Sequence, residues 1–176
     1  MPERVIRPAS VADAAACAAV YAPYVRDTAI TFEREPPDAA EVAHRIESYR
    51  ERHAWLVLED AGVVTGYAYA SPYAARAAYD WSCEVSVYLA PGLRRSGAGR
   101  ALYGELFATL RARGFRMLVA GVTLPNEASL GLHRALGFEE VGTFRGIGFK
   151  LDRWWDVVRL QRPLGAGPAG VPEPLS

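Results

Sequence analysis

The alternation of apolar and polar positions marks out most of the chain before any chemistry is considered. Val5-Ile6-Arg7 is short and partly β-branched and predicts a first strand. Ser10 with Asp13 three residues on forms a capping box, predicting a helix over roughly Val11 to Tyr24. Asp27 to Glu35 is a loop containing Thr31-Phe32-Glu33. Asp38 and Glu41 make a second capping box, and Val42, Ile46 and Tyr49 line one face of a helix reaching about Arg52. Ala54 to Glu59 and Val63 to Ala70 read as strands joined by Asp60-Ala61-Gly62, a hairpin turn. Ser71 to Trp81 is a loop rich in tyrosine and alanine. Glu84 to Leu89 is a strand, and Leu102, Leu106 and Leu110, with Phe107 beside them, recur at helical spacing up to Gly114. Met117 to Val122 reads as a buried strand, and Asn126 to Leu136 as a short helix ended by Gly137. Phe138 to Phe144 and Asp156 to Gln161 complete the pattern as a hairpin around Lys150 to Trp155. The order β-α-α-β-β-β-α-β-α-β-β mixes hairpins with crossovers. It predicts one α/β domain with a mixed central sheet flanked by helices.

Composition narrows the picture without naming a chemistry. With 176 residues one domain is expected. It should span residues 1–164, and the glycines and prolines of residues 165–176 predict a disordered tail. Twenty basic residues balance twenty acidic ones, so no global field attracts nucleic acid and any polyanion site must be local. Met1 to Ser10 has no apolar core, which argues against a secretory leader, and no apolar run approaches the length of a membrane span. Cys17 and Cys83 are too few and too scattered for a disulfide framework or a metal site, which fits a reducing cytoplasm. The basic residues are nearly all arginine, Lys150 being the only lysine.

The chemistry gathers between the central strand and the helix after it. There Arg94-Arg95-Ser96-Gly97-Ala98-Gly99-Arg100 places small residues and arginines where a helix begins. The first N–H groups of a helix have no internal partner and can donate to an anion. Gly97 and Gly99 let a bulky phosphate approach the main chain, while the arginines add charge and forked donors. This is the make-up of a pyrophosphate cradle, and equally of a solvated loop with a helix cap. It is no ATP or GTP loop, because no Lys-Ser or Lys-Thr follows the glycines. Nor is it a dinucleotide fingerprint, which needs three glycines at set spacing and an acidic residue after the next strand, where Thr123-Leu124-Pro125-Asn126 stands.

What remains, Arg-x-x-Gly-x-Gly after a strand, resembles the acetyl-CoA signature of the GCN5-related N-acetyltransferase (GNAT) superfamily. The resemblance covers Val5 to about Leu164. Asn126-x-x-Ser129-x-x-Leu132-His133-x-x-Leu136-Gly137-Phe138 is similar to the superfamily's later motif. Thr31-Phe32-Glu33, Ala78-Tyr79-Asp80-Trp81-Ser82-Cys83-Glu84, Val87-Tyr88, Gly114-Phe115, Leu124-Pro125-Asn126 and Trp155-x-Val157 resemble the phosphinothricin acetyltransferases within it. The resemblance implies an acetyl-CoA-dependent enzyme that needs no metal and acetylates the α-amine of a small amino acid. Direct attack on the thioester is expected, since neither cysteine lies beside the cradle.

Glu84 begins the strand leading into the cradle, where a carboxylate could take the amine's proton or simply sit in an ion pair; the resemblance assigns it the base. Val87, Tyr88 and Leu89 would present backbone N–H groups to pantetheine and the thioester oxygen. Arg94, Arg95, Ser96, Gly97, Ala98, Gly99 and Arg100 would hold the pyrophosphate, with Asn126 and Ser129 approaching the cofactor. His133 occupies the position of a proton donor to the departing thiolate; it reads equally as a helix histidine bonded to the backbone. For the acceptor, Arg76 reads as an anion clamp with Phe32, Tyr73 and Tyr79 as walls, and Glu33 either meets the amine or holds the loop. The run Tyr73-Ala74-Ala75-Arg76 departs from the Trp-Lys-Ala-Arg of the resistance enzymes, which leaves methionine sulfoximine or sulfone open as acceptors. A polyamine or protein N-terminus, and a non-catalytic acyl-CoA sensor, are more distant readings. Members of the group are commonly homodimers, so a homodimer is expected, with no nucleic-acid or membrane partner.

Overall fold

The computed structural model describes residues 4–93, 95–165 and 175. Arg94 and nearly all of the expected tail lie outside the described residues. The elements are β1 (Arg4–Pro8), α1 (Ala14–Asp27), α2 (Ala39–Arg50), β2 (Trp55–Asp60), β3 (Val63–Pro72), β4 (Ser82–Leu89) and α3 (Ala98–Ala112), followed by β5 (Met117–Leu124), α4 (Glu127–Ala135), β6 (Glu139–Lys150) and β7 (Arg153–Pro163). They form one mixed sheet in the order β1-β2-β3-β4-β5-β7-β6. Only the β4–β5 pair is parallel, as expected of strands joined by the α3 crossover.

The signals read from sequence act as physical stops and starts. Asp13 accepts from the Ser10 N–H at 2.8 Å, closing the first capping box, and Arg7 grips the same carboxylate at 2.9 and 2.8 Å. Asp38 accepts from the Glu41 N–H at 2.8 Å and starts α2. α1 continues to Asp27, beyond its expected end, because Tyr21 and Val25 carry its buried stripe onward. The largest departure is the last hairpin. Lys150 to Trp155 is not a loop: β6 runs to Lys150, β7 starts at Arg153, and the turn is Leu151-Asp152 alone, with φ of 52° and 57°. A register shift between Phe144 and Gly148 breaks the alternation that would have announced a strand of that length.

The sheet is covered on both faces. On one, Leu102, Leu106 and Leu110 of α3 pack with Leu56, Leu58, Ala68, Cys83, Val85, Leu118 and Ala120. On the other, α1 and α2 cover Trp55, Val57 and Tyr67 with Val20, Tyr21, Val42 and Ile46. That second cover stops near β4. Beyond it Val119, Val157, Arg159 and Gln161 stay only partly buried and Gly121 is exposed, leaving a shallow floor beside the central strand.

Candidate active site

β4 is the strand on which the site is built, because its two sides are treated differently. Along one side it pairs with β3 from Leu89 back to Cys83. Along the other, only Ser82, Cys83 and Glu84 register with β5, opposite Met117, Leu118 and Val119, although both strands continue. Past Glu84 the strands part, and the β5-facing backbone groups of β4 are left for another partner. The Tyr24 hydroxyl takes the Leu89 carbonyl at 2.7 Å. Val87, Tyr88 and Leu89 therefore line a wedge that begins at Glu84 and opens toward α3. Five residue steps separate Glu84 from Leu89, about 17 Å of extended chain.

At the open end stands the glycine turn. Gly97 is the N-cap of α3 with φ 80°, a left-handed conformation that suits glycine, and a Cβ added there would meet only open space. Ser96 donates to the Leu93 carbonyl at 2.8 Å and accepts from Ala98 N–H at 3.3 Å, which shapes the turn. The N–H groups of Gly99 and Arg100, in the first turn of α3, have no carbonyl of their own helix to meet. Gly99 packs against Leu132, a Cβ there lying 3.4 Å from its side chain, so α3 and α4 approach closely at this point. Arg95 is exposed with φ 62°, and Arg100 donates to the Ala135 carbonyl at the end of α4 at 3.2 Å. A wedge of unpaired strand backbone ending at a glycine-bordered, arginine-flanked helix start fits a long pantetheine arm terminating in a pyrophosphate.

At the closed end Glu84 is part-exposed and receives a hydrogen bond from Arg159 of β7, Nη1 to Oε1, at 3.0 Å. Ser71 of β3 is registered opposite Glu84, so the loop that follows rises directly beside the carboxylate. In that loop Tyr73 and Tyr79 meet edge to face with centroids 5.4 Å apart, and Arg76 caps a short turn over Ala77–Tyr79 with its side chain exposed. The 31–33 segment is held by other means. Arg45 grips Glu33 with both forks, at 2.7 and 3.1 Å, and the Tyr21 hydroxyl donates to Glu33 at 3.0 Å. Glu33 is thereby occupied in holding the loop, and these bonds keep its carboxyl below the ordinary range against the opposing pull of burial. Lys150, itself buried, donates to the Thr31 carbonyl at 2.8 Å. Phe32 leans its ring against Gly148 of β6, in space that a Cβ would occupy.

Asn126 caps α4, accepting from Ser129 N–H at 3.1 Å. His133 is buried on the α3 side of the sheet. Its Nδ1 lies 2.8 Å from the Ser129 carbonyl and therefore carries the proton, while Nε2 faces the Tyr103 hydroxyl at 3.5 Å. Burial lowers its pKa, opposed by the bond to Ser129. Cys17 and Cys83 are unpaired and buried, and burial pushes their thiols up to about 12, away from the reactive thiolate. Among the described residues no cluster of His, Cys, Asp or Glu could hold a metal, and no helix is long and apolar enough to cross a membrane.

The acetyltransferase (GNAT) domain model matches residues 6–158. The chain belongs to the GNAT acetyltransferase family. This N-acetyltransferase is 42% identical over 157 residues to the phosphinothricin N-acetyltransferase of Streptomyces viridochromogenes, covering 89% of this chain and 86% of that one. It is 34% identical over 163 residues to the L-methionine sulfoximine/L-methionine sulfone acetyltransferase of Salmonella typhimurium, covering 90% and 94%. Among solved structures it resembles a phosphinothricin acetyltransferase from Sinorhizobium meliloti in complex with acetyl-CoA, with TM-score 0.91 and 39% identity over 97% of this chain and 93% of that one. The residues that sequence reasoning missed in the acetyltransferase are those that hold others: Arg159 on Glu84, and Tyr21 and Arg45 on Glu33. Their signals, a charge inside an apolar strand and polar atoms on helix faces, gain meaning only once the strands and helices are paired.

Proposed function

We propose that the enzyme transfers an acetyl group from acetyl-CoA to the α-amine of a small amino acid of the phosphinothricin kind. The observation that carries this reading is the position of Glu84. It is a part-exposed carboxylate at the point where β4 and β5 separate, one strand length from the cradle and beside the aromatic loop. Acetyl-CoA supplies the thioester. Glu84 takes a proton from the ammonium, directly or through a water, freeing the nitrogen lone pair to attack the acetyl carbon; the carbon–sulfur bond then breaks and the thiolate leaves with the second proton that the nitrogen sheds. Backbone N–H groups of Val87 to Leu89 steady the carbonyl oxygen, and the N–H groups at the start of α3, with Arg95 and Arg100, answer the pyrophosphate.

Arg76 receives an acid group of the acceptor, with Phe32, Tyr73 and Tyr79 around it. Of the two expectations for His133, its geometry favours the backbone-bonded one, since Nδ1 is spent on the Ser129 carbonyl and Nε2 faces the buried Tyr103 hydroxyl. The exposed apolar side chains of the edge strand β6 and its turn, Val141, Phe144, Ile147, Phe149 and Leu151, with Trp154 of β7, support a homodimer formed on that side.

Thiol release from acetyl-CoA, measured with phosphinothricin, its demethyl analogue, methionine sulfoximine, methionine sulfone, spermidine and a short peptide, tests the substrate class. Turnover confined to spermidine or the peptide would overturn the amino-acid reading. Glu84→Gln should lower kcat by at least about 100-fold while acetyl-CoA affinity is kept. Weakened acetyl-CoA binding with normal turnover at saturation would remove Glu84 from the base role.

A further inference from the structure

Arg159 and Glu84 stand on β7 and β4 with β5 between them, so the guanidinium must cross a whole strand to make its bond. The residue it crosses is Gly121, which is registered opposite Arg159. A Cβ at 121 would lie 2.7 Å from Arg159 Nη1, 3.6 Å from its Cζ and 3.6 Å from Glu84 Oε1. Any larger residue at 121 would push the end of the guanidinium off this path, and this glycine needs no unusual φ that would explain it otherwise. The bond uses Nη1 and Oε1 alone. Among the described residues Nε and Nη2 of Arg159 and Oε2 of Glu84 make no further hydrogen bond, and the two side chains are 24% and 34% exposed. Free donors and a free carboxylate oxygen thus share the uncovered floor beside β4.

We propose that Arg159 is a positioning residue for acetyl transfer, admitted by Gly121. It holds one oxygen of Glu84 so that the other meets the acceptor amine. It also sets a positive charge beside the base, so that an acceptor carrying acid groups is not repelled by the carboxylate that must deprotonate it. The inference rests on the amino-acid acetyltransferase reading and adds to it the choice of acceptor charge. An exposed ion pair with no such role would be worth little and would leave kinetics alone.

The test uses the full chain with Arg159→Met, Gly121→Ala and the double variant, each checked for an intact cooperative melting transition. Arg159→Met should lower kcat about 10- to 100-fold with either phosphinothricin or methionine sulfone, the scale expected for a misplaced catalytic group. It should raise KM more for phosphinothricin, which has the extra acid group, and leave KM for acetyl-CoA unchanged. Gly121→Ala keeps both charged groups but displaces the guanidinium, so it should reproduce these changes. The double variant should be no worse than either single one, whereas independent effects would multiply. Retention of kcat with an unmoved KM ratio in Arg159→Met would overturn the proposal.

Nitrogen NMR of the arginine side chains provides a readout that needs no turnover. A guanidinium signal of slowed rotation, assigned by its loss in Arg159→Met, should also vanish in Glu84→Gln and Gly121→Ala. Its persistence in both would show that Glu84 does not hold Arg159, and would overturn the proposal on its own. A wild type that turns over no amino acid would sink the functional reading, and the NMR result would still decide the contact.

Discussion

His53 lies against the ring of Phe115, centroids 5.2 Å apart, where burial, aided by Arg52 and Arg113 and opposed by Asp80, lowers its pKa to about 4. In the unfolded chain the same ring titrates near 6.5. Between those values the unfolded state binds a proton that the native state refuses, so stability falls as the pH drops from about 6.5 toward about 4. His53→Phe should flatten that part of the stability profile. A denaturation midpoint with the same slope over this window in both proteins would refute it. Asp13 acts in a separate window. The Arg7 bonds hold its pKa to about 2, so its contribution is complete above the ordinary carboxylate range and is lost only as the pH falls toward 2. At this scale the sequence was informative about what residues are and silent about what holds them. Glu84 could be singled out because it starts a strand that leads into a glycine turn. Its bond to Arg159 joins residues 75 apart in sequence and rests on a register that no local pattern encodes.

Along the stretch where β4 parts from β5 it is held closely by β3 on its other side. Gly66 of β3 makes that closeness possible, since a Cβ there would lie 2.6 Å from Leu89 Cδ2 and 3.1 Å from the Tyr88 carbonyl oxygen. Gly66→Ala should cost about 1–3 kcal/mol, the range for overpacking a filled site. It should also weaken acetyl-CoA binding more than acceptor binding, because the strain falls on Tyr88 and Leu89 rather than on Glu84. Equal loss of both affinities in a calorimetric titration would count against this division of the strand. Helices and central strands were legible because caps, glycine stops and the periods of burial agree in them. The β6–β7 hairpin was legible at its base, Phe138 to Phe144 against Asp156 to Gln161, but not at its tip, where the side chains are mostly exposed and a register irregularity interrupts the period. Hydrophobic patterning reports a strand's inner face, and β6 has almost none within one copy of the chain.

For the molecule as a whole, that same edge is the unfinished part. Ile147 and Trp154 are 52% and 64% exposed on the outermost hairpin, a poor arrangement for a free sheet edge. Trp154→Glu should convert the homodimer proposed on this side to a monomer in light scattering. The wild type's melting temperature should rise with protein concentration, as it does when folding and association are linked. A wild type that scatters as a monomer at all concentrations would remove the dimer. Lys150 carries a different consequence. It is the only lysine in the chain, and its amine is buried against the Thr31 carbonyl. A protein that works beside an acylating thioester therefore presents no side-chain amine to it. Reagents that acylate exposed amines should leave every side chain of the folded enzyme unmodified and reach Lys150 only on unfolding, which makes acylation at that one position a direct gauge of the unfolded fraction.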